Sequence, residues 1–527
     1  MDRLNKLWSV FNSSHDSTAL SPLDTMDLGP TKNTENPVMI QFFTWDCKHP
    51  KLSWWRFFEM TVPDLESLGF TQVWLPPPHK AMRKTGNGYD AYDLWDLGEF
   101  DQKGTVATRW GTKGELVHAV AVAKQRGMDV IIDAVLNHKL GADQREIFMA
   151  TPVNPKNRMD EIGPSRTVEQ GWTRFNFPGR GSKYSTLKWT HEHFTGVDWD
   201  HTTKKRGIYR MTNKSWSPRV DDEHVNYDYL LGADVDHNHP EVAKDLLSWG
   251  PWALQTTGAN GFRLDAIKHI DRRFLQHFIQ HARQATGRPQ LFVVAEYWCP
   301  DIKRVMFWIN EYRGLTSFFD VPLHDNFWHA SRSGSKYDLR KILDNTIVSL
   351  RPGDAVTFVD NHEFLQQIGQ SLQSWVSREF KLHAYALILL RDKGHPCVFF
   401  GDLYPNKECY DAGTAYGLRI LLKTRKNVAS GPVTDYWENA SYIGWVRRGQ
   451  GHKICAVIIS NADPASSSEP HMIRMFVGKG HDHTTFRNVF TPHSPGIKVS
   501  KDGWGSFTCV RGGISVWTLA SNIVACV

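Results

Sequence analysis

From residue 38 onward the chain alternates between two hydrophobic rhythms. Short apolar runs rich in β-branched and aromatic residues are bounded by Gly, Pro, Asn or Asp, and between several of them apolar positions recur every three or four residues. The first rhythm marks buried strands and the second amphipathic helices, an order that predicts parallel strands joined by helical crossovers. Eight strand-like runs are present: Val38–Trp45, Thr71–Pro76, Val130–Asn137, Gly261–His269, Leu291–Trp298, Ser317–Pro322, Val356–His362 and Cys397–Tyr404. Eight parallel strands close a barrel. Gly114–Lys124 is one of the helical segments, with Gly127 as its stop signal. The expected fold class is therefore α/β, a (β/α)8 TIM barrel over residues 37–138 and 238–430.

Two stretches break the rhythm. Roughly a hundred residues separate the third run from the helix beginning near Pro240, far beyond an ordinary loop. An inserted lobe over 139–237 is expected there, carrying Trp172, Trp189, Trp199 and Trp216. Beyond Pro432 the short strands Ile443–Val446, Ile454–Ile459 and Gly513–Leu519 follow one another without helices, which predicts a C-terminal antiparallel β-sandwich over 431–527. Residues 1–36 are polar and aperiodic and are expected to form a loosely ordered extension.

Composition narrows the function classes. With 41% hydrophobic and 22% charged residues the chain is ordinarily globular and enriched in aromatics, with 21 Trp, 15 Tyr and 28 Phe, most of which are expected in the core. The formal charge of +6 is spread along the chain, which argues against a nucleic-acid surface. No apolar run reaches the ~18 residues of a membrane span, and Met1–Lys6 opens without the apolar segment of a secretory signal. Seven scattered cysteines offer neither a disulfide frame nor zinc-ligand spacing. A soluble, cytoplasmic monomer without nucleic-acid or membrane partners is expected.

Barrel enzymes carry their chemistry where strands end, and here polar residues collect at those places. The third run ends Asp133-Ala134-Val135-Leu136-Asn137-His138, the fourth reads Gly261-Phe262-Arg263-Leu264-Asp265-Ala266-Ile267-Lys268-His269, the fifth ends Ala295-Glu296-Tyr297-Trp298 and the seventh Val359-Asp360-Asn361-His362-Glu363. Asp265 and Glu296 are carboxylates on adjacent strands, a pair placed for acid/base and nucleophilic work. Arg263 lies two residues before Asp265, on the same strand face, where it can hold a carboxylate ionised.

Together with Val73–Pro78 and the stretch Gly88-Tyr89-Asp90-Ala91-Tyr92-Asp93-Leu94, these four segments resemble, in order, the diagnostic stretches of the α-amylase family of glycoside hydrolases. The resemblance is nearest to liquefying bacterial and intracellular fungal α-amylases and runs from about residue 38 to the C-terminus. It implies an endo-acting retaining hydrolase of internal α-1,4 bonds in starch, glycogen or maltooligosaccharides, its partner being the α-glucan itself. By the same resemblance Asp265 is the nucleophile, Glu296 the general acid/base and Glu363 the third carboxylate. Tyr89, His138, Arg263, Lys268, His269 and His362 bind substrate, and Asp133 supports Arg263. Asn137, Asp228, Asp234 and the backbone carbonyl of His269 match the family's ligands for Ca2+.

Two departures stand out. The family has aspartate where this chain has Glu363, and liquefying relatives carry two further metal-binding aspartates near Thr195 and Ser217, neither of which is acidic. A 4-α-glucanotransferase, or a weakly active or inactive α-glucan-binding regulatory protein, are the alternatives that Glu363 keeps open.

Overall fold

The computed structural model describes residues 21–31, 35–201, 203–362 and 374–526, with no side-chain description at 168–170. Eight parallel strands form a closed barrel: β1 Met39–Gln41, β2 Gln72–Leu75, β3 Asp129–Ala134, β4 Gly261–Leu264, β5 Phe292–Ala295, β6 Ser317–Phe319, β7 Ala355–Phe358 and β8 His395–Phe399. Each pairs with its sequence neighbours, and β8 closes on β1 through Met39 opposite Cys397. All eight expected runs are present. The ladders are shorter than the runs, because the runs continue past their last paired residue into the turns or, after β6 and β8, into the helices Val321–Ser333 and Phe400–Leu403. After β4 the chain leaves the ladder at once: Ala266 adopts the left-handed conformation (φ 49°, ψ 44°), a position alanine occupies only at a cost of order 1–3 kcal/mol.

The crossover helices begin and end where local chemistry dictates. The helix Trp54–Leu68 is capped by the Ser53 hydroxyl and stops at Gly69 (φ 88°). Lys113–Gln125 opens with a capping box between Thr112 and Glu115, satisfying two otherwise unpaired backbone donors. Pro240–Thr257 starts on proline, whose missing N–H is no loss in a first turn, and ends at left-handed Gly258.

Between β3 and that last helix lies a seven-stranded sheet, including Gln144–Asn154, Phe194–Asp200 and Lys205–Met211. The short strand His138–Lys139 leads into it and Ala233–Val235 leads back. At the C-terminal end a six-stranded antiparallel sheet faces the pair His471–Phe476 and Trp504–Cys509. Val446, Ile458, Met475, Phe486 and Phe507 fill the space between the two layers, so this part is the expected sandwich. The loosely ordered extension needs correction for its described part. Leu23 and Met26 are buried, the Asp27 amide donates to the Gln290 carbonyl at 2.8 Å, and Gln72 Nε2 donates to the Asp27 carbonyl at 3.0 Å. Pro22, Leu23 and Met26, all buried, dock this strap at the starts of β2 and β5. Residues 1–20 lie outside the described residues.

Candidate active site

Above the C-terminal ends of the strands opens a cleft of about 720 Å³ lined by Trp45, Tyr89, His138, Asp265, Lys268, His269 and Glu296. Its floor is organised by Arg263. One guanidinium nitrogen, Nη1, donates to Asp133 at 2.9 and 3.1 Å and to Asp265 Oδ1 at 2.5 Å, while Nη2 lies 3.0 Å from Glu296 Oε2. The arginine is 1% exposed, so these charges face one another with little water between them. Register explains the meeting: Arg263 pairs across the ladder with Asp133 on one side and Val294 on the other, placing Glu296 one strand away and just above.

Three carboxylates share one cation, so the cluster favours holding a proton. Burial, opposed by Arg263 and reinforced by Asp265, pushes the Asp133 carboxyl up to about 7. Yet Asp133 also accepts from Tyr89 Oη at 2.8 Å and Trp74 Nε1 at 3.1 Å, a donor set that fits the ionised form. Burial also raises Glu296, with Arg263 opposing and the Asp265 charge adding to it. Both of its contacts, from the Ala266 amide at 2.8 Å and from Arg263, end on Oε2. Oε1 is left as the oxygen that can carry the proton. Asp265 meets Arg263 through Oδ1 alone, which leaves Oδ2 open to an electrophile.

Aromatic rings wall one side. Tyr89 stacks on Trp45 at 5.5 Å and 3°, and on His362 at 4.9 Å and 18°. His362 is fully buried, and desolvation with the nearby Arg263 charge holds it well below the usual imidazole range. His138 Nε2 meets the Tyr89 carbonyl at 2.7 Å, and burial lowers its pKa to about 4. Both imidazoles are therefore neutral at pH 7. On the other side Lys268 Nζ donates to Glu223 at 2.8 Å and His269 Nδ1 meets the Tyr227 carbonyl at 2.7 Å. The structure thus brings together every expected site residue except Glu363, which lies outside the described residues. Sequence reasoning missed Trp45, Trp199, Arg206 and Glu223 at this cleft. Only Trp45 carried a signal, at the end of the first run.

The expected cation ligands are also neighbours. Asn137, Asp228 and Asp234 are all within 2% of complete burial. Asn137 Nδ2 reaches Asp234 at 3.4 Å, while its Oδ1 is buried without a hydrogen-bond partner among the described residues. Burial and the nearby Asp236 and Asp271 charges push Asp228 up to about 8, and burial together with the Asp228 charge holds Asp234 well above the usual carboxylate range. An orphaned amide oxygen beside two buried, mutually repelling carboxylates fits a hard cation. The non-acidic Thr195 and Ser217 instead hold these carboxylates in place. The Thr195 hydroxyl donates to Asp234, and the Ser217 amide donates to Asp228 at 2.9 Å.

A parallel barrel with two buried carboxylates on one arginine, at the mouth of a ring-walled cleft, defines a barrel glycoside hydrolase. The family model for the α-amylase catalytic domain matches residues 61–409. The chain is 42% identical to an α-amylase of Geobacillus stearothermophilus over 93% of its own length and 88% of the relative's. It is 34% identical to the cytoplasmic α-amylase of Escherichia coli, covering 93% of this chain and all of that one. The crystal structure of an acarbose-complexed α-amylase from Geobacillus thermoleovorans shares the fold with a TM-score of 0.58 at 18% identity, over 92% of this chain and 98% of that chain. The chain belongs to the α-amylase family.

Proposed function

We infer that the protein is a retaining, endo-acting α-amylase that hydrolyses internal α-1,4 bonds of starch, glycogen or maltooligosaccharides. The observation that carries this reading is the single Arg263 guanidinium holding Asp265 and Glu296 together in the cleft. Asp265 Oδ2 attacks the anomeric carbon while Glu296 gives its proton to the departing glycosidic oxygen, so the glycosidic bond breaks as an ester forms. Glu296, now ionised, takes a proton from water. The resulting hydroxide displaces Asp265, which returns as a carboxylate. Arg263 keeps Asp265 ionised, Tyr89 supports the reacting sugar, and neutral His138 and His362 hydrogen-bond its hydroxyls. Lys268 and His269 serve the leaving-group side, and Glu363 is the third carboxylate. The relative named a glucan 1,4-α-maltohexaosidase, 40% identical over 94% of this chain, supports action on long chains.

Asn137, Asp228, Asp234 and the His269 carbonyl would hold a calcium ion, supplying the positive charge those two buried carboxylates require and joining the lobe to β3 and β4. Chelation with EDTA is expected to lower the thermal midpoint and Ca2+ to restore it. At a hundredfold excess over Kd the effect is about 2.7 kcal/mol, read by calorimetry. A cytoplasmic location is supported by seven unpaired thiols, six of them buried, and by similarity to the cytoplasmic relative. The division into barrel (37–138 and 238–430), lobe (139–237) and C-terminal sandwich (431–527) follows the sheets and is tested by limited proteolysis.

The acid/base assignment has a pH signature. Glu296 must start protonated, and its pKa is raised, so kcat/KM falls as pH rises through that value. The alkaline limb therefore stands above the ordinary glutamate value of about 4.3. Glu296→Gln is expected to cost about 10²–10⁴-fold in rate and to abolish that limb in the residual activity. A limb unchanged in the variant would assign the proton to another group.

A further inference from the structure

We propose that His193, His239 and Glu241 form a zinc site joining the inserted lobe to the barrel. One ligating atom from each lies within 4.8 Å of the other two. His193 Nε2 is 3.5 Å from Glu241 Oε2, and the two imidazole rings are 4.7 Å apart at 70°. Two imidazoles and one carboxylate are a donor set for Zn2+, with water in the fourth, solvent-facing position. Calcium, which takes six to eight oxygens, is excluded by the same chemistry, so this place is distinct from the Asp228 and Asp234 pair.

The position of His239 is the second observation. It is the N-cap of the helix Pro240–Thr257, where Ser, Thr, Asp or Asn is favoured because the side chain caps a backbone N–H. The His239 side chain makes no cap hydrogen bond, and its Nδ1 is buried without a partner among the described residues. Glu241, in the first turn, supplies the negative charge that offsets a cation at the positive end of the helix. Its side chain is 69% exposed, so a rotamer change draws it to the ~2.0–2.2 Å that zinc requires.

His193 sets the strength of the site. Its Nδ1 accepts from the Thr190 amide at 2.9 Å and lies 3.3 Å from the Thr190 hydroxyl. For Nε2 to offer its lone pair the ring proton must sit on Nδ1, donated to that hydroxyl, while the amide turns to water. Zinc binding therefore exchanges one hydrogen bond for another, which weakens the site relative to one with a ready-made tautomer. His193 stands at the head of the lobe strand Phe194–Asp200, and its carbonyl accepts from Asp236 N at 3.0 Å. Zinc here fastens the lobe to the helix that follows it.

The test is calorimetric titration of the Ca2+-loaded full chain with Zn2+ alone, comparing wild type, His239→Ala and Glu241→Gln. Glu241 is exposed and His239 half-buried, and an unchanged melting midpoint in zinc-free buffer verifies folding of each variant. The expected result is one micromolar event in wild type, weakened at least tenfold in each variant, with the wild-type midpoint alone rising when zinc is added. Absence of binding below about 100 µM, or binding equally strong in both variants, overturns the site and assigns any zinc to other histidines. Neither result depends on glucan hydrolysis, so the site and the proposed activity stand or fall separately.

Discussion

Asp265→Asn is expected to abolish turnover of soluble starch, with a loss of about 10⁴-fold or more, while the fold and maltooligosaccharide binding persist. The amide is nearly isosteric and keeps an oxygen toward Arg263 Nη1, which lies 2.5 Å from Asp265 Oδ1. What disappears is the anionic Oδ2 that forms the ester. Because Arg263 keeps Asp133 and Glu296 as partners, the buried cation is not left alone, and the melting midpoint should change little. Reducing-end release measures the first effect and calorimetric binding of maltoheptaose the second. Retention of more than a hundredth of wild-type activity would move the nucleophile elsewhere.

The second large effect concerns Glu363. One methylene longer than the family's aspartate, it keeps the charge but displaces the carboxylate, and a shift of about 1 Å costs on the order of 100-fold in rate. Glu363→Asp is therefore expected to raise kcat by about 10- to 100-fold. The effect belongs in kcat, because a carboxylate acting on the distorted sugar contributes in the transition state rather than the ground state. An unchanged or lower kcat in Glu363→Asp means that the cleft of this chain is built around the longer side chain.

Much of this was legible in the sequence because a parallel barrel buries both faces of its strands. The runs around Val130–Asn137 and Leu291–Trp298 are therefore continuous and short. Their ends were less legible, since apolar residues such as Ile267 continue the run after Ala266 has turned the backbone away from the ladder. Asp265, Arg263 and Glu296 were readable because they sit where register alone brings neighbours together. Trp199, Arg206 and Glu223 were not. They reach the cleft from the lobe, and no local spacing encodes how that lobe folds over. The same holds for His193 and His239, distant in sequence and adjacent only in space. The strap at 21–31 was missed because three buried apolar residues, Pro22, Leu23 and Met26, in a polar stretch carry no periodicity.

The central claim is double displacement through Asp265. Its most direct test is proton NMR of maltoheptaose hydrolysis with Ca2+ present, following the anomeric signals of newly formed reducing ends before mutarotation. A covalent ester on Asp265, opened by water from the opposite face, predicts that the α anomer appears first and the β anomer only as mutarotation proceeds. Initial release of the β anomer would contradict this mechanism, since it requires one direct displacement by water. So would no release from the unmodified protein alongside turnover by Glu363→Asp, which would make this chain an α-glucan binder rather than a hydrolase.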